Sequence, residues 1–271
     1  MPNIFTQQLK ASSKTTILLL LAALAMLVSG CSSTHVHNFQ VDASEAPEVY
    51  GIGRYQQPKT STMRLYGSFK IDPREDVAAS GDYRTWSSWR WDTLVVQELN
   101  SFGSSGIYKM GGNEFTGGFE WFHKSDNALF GVGVSVNDGI YHHLTYGFNT
   151  EHFEVGGFFG FFHQLLKIKS SFSTNGESSD DAKYEFNTNV FWGFYTGVFL
   201  GDLFVNYSLS AYRPSFDVDG TTVRSSIVTS NYITLGYNIN KHLAVTAGAI
   251  GTDVNSNWHW AANLGINFYP F

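Results

Sequence analysis

Residues 113–162 read NEFTGGFEWFHKSDNALFGVGVSVNDGIYHHLTYGFNTEHFEVGGFFGFF, and three consecutive parts of this stretch alternate apolar residues with polar or small ones. In Asn113–His123 the apolar set is Phe115, Phe119 and Trp121, interleaved with Glu114, Thr116, Gly118 and Glu120. In Leu129–Asn137, Phe130, Val132, Val134 and Val136 alternate with Gly131, Gly133 and Ser135. In Ile140–Asn149, Ile140, Leu144, Tyr146 and Phe148 alternate with Tyr141, His143, Thr145 and Asn149. Period two places successive side chains on opposite faces of a sheet. Segments of about ten residues of this kind are the signature of strands that cross a bilayer within a barrel.

The turns must keep the apolar faces in phase. Around Asn137-Asp138-Gly139, a two-residue Asp-Gly turn would set Val136 against Tyr141 and mix the faces. A three-residue loop with Gly139 left-handed sets Val136 against Ile140, Val134 against His142 and Val132 against Leu144, and is the one expected. Thr150-Glu151, read as a two-residue turn, matches Phe148 with Phe153 and Tyr146 with Val155, and carries the same face into Phe153–Phe162.

The rest of the chain extends the pattern. Met63–Ile71, Asn189–Phe199, Leu203–Tyr212, Ile227–Asn238, Leu243–Gly251 and Ala262–Tyr269 alternate likewise, and a turn at Leu200-Gly201 is expected to set Val198 against Leu203. The fold expected is all-β: a transmembrane antiparallel up-and-down barrel over residues 63–271, with about ten strands and a range of eight to twelve. Residues are 16% aromatic and only 15% charged, poor in charge for a soluble protein and ordinary for a barrel with aromatic girdles. Residues 72–112 are ambiguous. Trp91, Leu94, Val95, Leu99 and Phe102 fall at helical spacing, with Gly103 as a cap, so a short amphipathic helix on the membrane surface with Trp86 and Trp89 is favoured over two further strands.

Residues 1–30 read as a signal peptide: Lys10 and Lys14, then the apolar run Ile17–Val28. Val28-Ser29-Gly30-Cys31 resembles a bacterial lipobox, and that resemblance implies lipidation of Cys31; Ser32 after it implies sorting to the outer membrane. With one cysteine in the chain, no intramolecular disulfide can form. Residues 31–62 are polar and are read as the lipidated N-terminus and a periplasmic linker. His35 and His37 lack the neighbouring ligands that a metal site needs. The net charge of −6 becomes more negative once Lys10 and Lys14 are removed, and no basic patch recommends nucleic acid.

Short connections at 124–128, 149–152, 200–201 and 239–241 share one end, and the long ones, 72–112, 163–188, 213–226 and 252–259, share the other. Barrels carry short periplasmic turns and long external loops, so the lipid anchor and the C-terminus are both expected on the periplasmic side. Phe271 and Tyr269 resemble the C-terminal signal of outer-membrane β-barrel proteins. That resemblance implies the barrel assembly and lipoprotein sorting machineries, outer-membrane lipid and lipopolysaccharide as partners.

If the apolar face meets lipid, the interior receives Glu114, Thr116, Glu120, Ser135, Tyr141, His143, Thr145, His152, Glu154, Asn206 and Ser208, with Phe122, Phe158, Phe191, Tyr195 and Phe204. Such side chains fill a barrel of eight to ten strands. Arg64 and Lys70 are expected to pair with Glu120 or Glu154, because buried charges need partners. The only catalytic arrangement that suggests itself is Ser135 as nucleophile, His143 as base and Glu154 as its orienting carboxylate. Paired acidic residues in the loops, Asp180-Asp181, Asp217 and Asp219, lack the spacing of a calcium site. The reading is a non-enzymatic outer-membrane lipoprotein, without cofactor or metal, serving structurally or through its external loops. A narrow conduit for small or hydrophobic compounds, an outer-membrane lipid hydrolase and a soluble lipid-anchored lipocalin-like barrel are the alternatives.

Overall fold

The computed structural model describes residues 34–87, 98–174 and 176–270. The described residues form fifteen strands: β1 (Thr34–Asp42), β2 (Thr60–Ile71), β3 (Glu75–Ser87), β4 (Glu98–Met110), β5 (Glu114–Lys124), β6 (Ala128–Val136), β7 (Gly139–Asn149) and β8 (Phe153–Thr174). They continue with β9 (Glu177–Leu200), β10 (Leu203–Tyr212), β11 (Ser215–Val218), β12 (Thr221–Ser225), β13 (Val228–Asn240), β14 (Leu243–Val254) and β15 (Asn257–Phe268). Ten of these close into an antiparallel barrel, in the order β2-β5-β6-β7-β8-β9-β10-β13-β14-β15 and back to β2. The ten are the ten that alternate in the sequence. Among the described residues no helix is long and apolar enough to cross a membrane.

The period-two code sorts the residues as it should. Val132, Val134, Val136, Leu144, Tyr146 and Phe148 point outward and are 43–52% exposed. Their neighbours Ser135, Tyr141, His143 and Thr145 point inward and are at most 4% exposed. Trp192, Phe194, Leu235, Leu264 and Ile266 continue the outer apolar surface round the barrel. His152 is an exception, exposed in the turn after β7 instead of facing the interior.

Registers follow partly as expected. Across β6 and β7, Val136 meets Ile140, Val134 meets His142 and Val132 meets Leu144. Gly139 is not left-handed, however. It begins β7, and a Cβ there would meet the backbone carbonyl of His163, so close approach, not turn geometry, requires glycine. Between β7 and β8, Phe148 pairs with Val155 and not Phe153, because Thr150 closes a longer turn to the Phe153 carbonyl. Between β9 and β10, Val198 pairs with Val205 and not Leu203. Both shifts are of two residues, so neither changes which face a side chain takes.

Two larger expectations are corrected. Over the described part of residues 72–112 the chain makes the hairpin β3–β4, where Leu99 pairs with Trp86 and Phe102 with Tyr83, in place of a surface helix; Trp89, Trp91, Leu94 and Val95 lie outside the described residues. This hairpin stands outside the ring, so the barrel keeps ten strands. It belongs to an appended sheet, β8-β1-β4-β3-β12-β11, that grows from the upper part of β8 beyond the barrel rim.

Residues 34–62 are no free tether. β1 pairs with the upper part of β8, Thr34 opposite Thr174 and Val41 opposite Ile168, beyond the point where β7 begins opposite Gln164. The chain then runs down the barrel and starts β2 at Thr60, opposite Lys124 beside the short β5–β6 turn. The N-terminal end of the described chain therefore lies at the long-loop end, and the C-terminus at the short-turn end. Cys31 and Phe271 lie outside the described residues, and the same-side placement of the two termini does not hold for the residues that are described.

Candidate functional site

A ten-stranded barrel with inward tyrosines, serines and ion pairs presents hydrogen-bonding groups along its whole depth, and residues 43–59 occupy them. Near the long-loop end, the Tyr212 hydroxyl donates to the Ser44 carbonyl at 2.7 Å, Ser230 Oγ accepts from the Ala46 N–H at 3.0 Å, and the Tyr232 hydroxyl donates to the Ala46 carbonyl. Halfway down, Ser208 donates to the Val49 carbonyl at 2.6 Å, and Arg64 donates to the carbonyls of Tyr50 at 3.2 Å and Gly51 at 2.6 Å. Lower still, Glu154 accepts from the N–H groups of Ile52 and Gly53, both at 3.0 Å, and the Tyr269 hydroxyl donates to the Ile52 carbonyl at 2.8 Å. At the short-turn end, Asn149 accepts from the Gln56 N–H at 3.0 Å and Lys124 donates to its carbonyl at 2.7 Å.

Nearly all these contacts go from wall side chains to the main chain of the segment. An extended peptide buried without them would leave its amides and carbonyls unsatisfied, at a cost of roughly 1–3 kcal/mol each. Among the segment's own side chains, Ala43, Ala46, Val49 and Ile52 are buried among wall residues, while Glu45 pairs with Lys70 and Glu48 meets Thr234 and Asn263. Gly51 sits where a Cβ would run into the Glu154 carboxylate.

The predicted site residues are distributed within this arrangement. Arg64 pairs with Glu120 on the neighbouring strand, in direct register and with 1% exposure of each side chain. Lys70 pairs with neither Glu120 nor Glu154. Its ammonium lies 2.7 Å from Glu45, 3.0 Å from Asp72 and 3.1 Å from Glu114. His143 Nε2 is 3.1 Å from Glu120 Oε1, Ser135 is bonded to the Tyr66 hydroxyl, and Glu154 lies opposite Asn149, occupied by the lumen segment. The three residues considered for hydrolysis are thus not brought together. Tyr269 faces inward and is fully buried, while Leu264, Ile266 and Phe268 form the outward set of β15.

A second cluster, at the long-loop mouth, was not anticipated. His259, at the start of β15, sets Nε2 2.5 Å from Asp72 Oδ1 and Nδ1 3.1 Å from Glu75 Oε2. Asp72, in the connection after β2, thus lies between Lys70 and His259. Burial pushes its carboxyl up, but the hydrogen bonds and charge of His259 and Lys70 outweigh this and hold it below its ordinary value. Beside the cluster opens a cavity of about 860 Å³ lined by Asp42, Ser44, Arg74, Glu75, Asp138 and Gln164 among others.

No protein-family model and no curated protein matches the chain. Among solved structures, the outer membrane protease OmpT from Escherichia coli is similar at 11% identity, covering 77% of this chain and 94% of that one, with a TM-score of 0.29. Acinetobacter baumannii OccAB4 is similar at 7% identity over 81% and 99%, TM-score 0.26. The Pseudomonas putida toluene transporter TodX is similar at 8% over 83% and 95%, also at 0.26. The fold described here rests on strand order and register, not on these likenesses.

Proposed function

We propose that the protein is a non-enzymatic outer-membrane β-barrel lipoprotein whose lumen is closed by its own N-terminal segment, and which presents the appended sheet at the cell surface as a structural or interaction platform. The observation that carries this reading is the passage of residues 43–59 through a barrel that is apolar outside and polar within. A lipid-facing surface requires the apolar exterior, and closure to solutes follows from the segment that fills the interior. The long-loop end, with the sheet from β8 to β11, faces outward on this reading, and the short turns and the C-terminus face the periplasm.

The alternatives fare less well on the same residues. A lipocalin-like barrel would turn Phe130, Val132, Leu144 and Trp192 inward around its ligand, whereas all four are exposed. A conduit would have to release the segment that fills it. A hydrolase would need Ser135 and His143 free to act on one another.

The outward position of Thr34 also bears on the anchor. Three extended residues span at most ~10 Å, so a lipid on Cys31 belongs, in this reading, at the outer face and not in the inner leaflet. His37, exposed on β1, provides the test. In whole cells a His37→Cys variant is treated with a membrane-impermeant maleimide, with the unsubstituted protein as control. Labelling of intact cells supports the outward reading; labelling only after the outer membrane is permeabilised overturns it.

A further inference from the structure

We propose that Glu45, Asp72 and His259 form a binding site for a divalent transition-metal cation of the zinc class at the outer mouth of the barrel, with Glu75 orienting the histidine. Each of the three offers one ligand atom, and these atoms lie within 4.8 Å of one another. All three residues are buried or nearly so. They come from separate parts of the chain: the lumen segment, the connection after β2, and the start of β15.

Three observations point to a cation beyond those already present. Glu45 is about nine-tenths buried, and while its Oε2 meets Lys70, its Oε1 is buried with no hydrogen-bond partner. A carboxylate oxygen hidden from water without a donor is costly, and coordination to a metal satisfies it. The charges are also unequal. Four carboxylates, Glu45, Asp72, Glu75 and Glu114, share Lys70 and His259, and the histidine is a cation only while doubly protonated. Finally, His259 meets a carboxylate at each ring nitrogen. Glu75 at Nδ1 has the place of the outer carboxylate that orients a metal-bound histidine, with Nε2 directed at Asp72.

One imidazole nitrogen and two carboxylates make a mixed nitrogen and oxygen donor set of the kind zinc takes. Binding displaces the proton that His259 Nε2 shares with Asp72, and that proton leaves to solvent. Asp72 and Nε2 then turn from each other to the ion, while Lys70 remains between Glu45 Oε2 and Glu114. The ion would clasp the lumen segment to the barrel wall and to the stem of the outer sheet.

The test is zinc titration of the full-length protein, purified without chelator in detergent micelles, followed by calorimetry. Expected are one zinc ion per chain and at least a tenfold loss of affinity in both His259→Ala and Glu45→Gln. His37→Ala, which removes an exposed histidine bonded to Ser173, leaves the affinity unchanged. Absence of zinc binding by the unsubstituted protein overturns the proposal. So does equal affinity in Glu45→Gln, whose near-isosteric side chain keeps the fold while weakening the ligand, or a loss as large in His37→Ala.

Discussion

Glu154 accepts the backbone N–H of Ile52 at 3.0 Å, near the short-turn end of a barrel wall that holds the lumen segment by its main chain. The neighbouring Gly53 amide is bound at the same distance. Glu154→Ala leaves both amides buried and unpaired. A buried donor left without an acceptor costs roughly 1–3 kcal/mol, so for the two amides a loss of about 2–6 kcal/mol is expected in urea unfolding of the micellar protein. A change under about 1 kcal/mol would mean that the segment is held chiefly by its apolar side chains.

The segment should also seal the barrel. Replacing residues 46–56 with a glycine-serine repeat removes Val49, Tyr50 and Ile52 from the lumen. Planar bilayers containing the replaced protein should show stepwise conductance, with none from the unsubstituted protein. Equal conductance in the two would show that wall side chains alone close the lumen.

Arg64 and Glu120 form a pair that neither can leave cheaply. Arg64→Met takes the guanidinium from the buried Glu120 carboxylate and leaves it the His143 imidazole, and a loss of about 3–5 kcal/mol is expected on thermal or urea unfolding. Adding Glu120→Leu removes that charge and should recover a large part of that loss. A double variant no more stable than the single one would place the destabilisation in the lost contacts of Arg64 to Tyr50 and Gly51.

Two glycines on different strands should behave oppositely. Gly139→Ala puts a Cβ against the backbone carbonyl of His163, which cannot swing aside as a side chain could, and a cost of about 1–3 kcal/mol is expected. Gly103→Ala meets nothing within 4 Å, and a gain of up to about 1 kcal/mol follows from the reduced freedom of the unfolded chain. Midpoints of the unboiled-to-boiled shift on detergent gels would rank the two.

The barrel was legible because one-sided burial writes itself into the sequence with period two. Val134 and Ser135 had to face opposite ways, and a register error of two residues, as at Phe148 and Val198, leaves that assignment intact. The β3–β4 hairpin was not legible: Leu99 and Phe102 satisfy a helical spacing, and what decides between helix and strand is the pairing of Phe102 with Tyr83, a long-range contact. The lumen segment was missed for a related reason. Its polar and proline-containing composition is that of a linker, because the wall satisfies its backbone and asks only for small or apolar side chains at Ala46, Val49 and Ile52. Its signal lay elsewhere, in inward tyrosines and serines such as Ser208, Tyr212, Tyr232 and Tyr269, whose hydroxyls reach the segment's carbonyls. The Asp72–His259 contact joins residues 187 positions apart, and no local pattern announces it.

The occupied lumen also orders biogenesis. The ring is fastened where β15, the last of the described strands, meets β2, with Phe268 opposite Leu65 and Ala262 opposite Ile71. Residues 43–59 lead directly into β2 and already lie on the axis of the ring, while β1 is gripped on both sides by β4 and β8 beyond its rim. A finished ring would have to pass that sheet-forming end through its bore. Fastening the seam around a segment already laid along the axis avoids this, so the segment would serve as the former on which the barrel is wound.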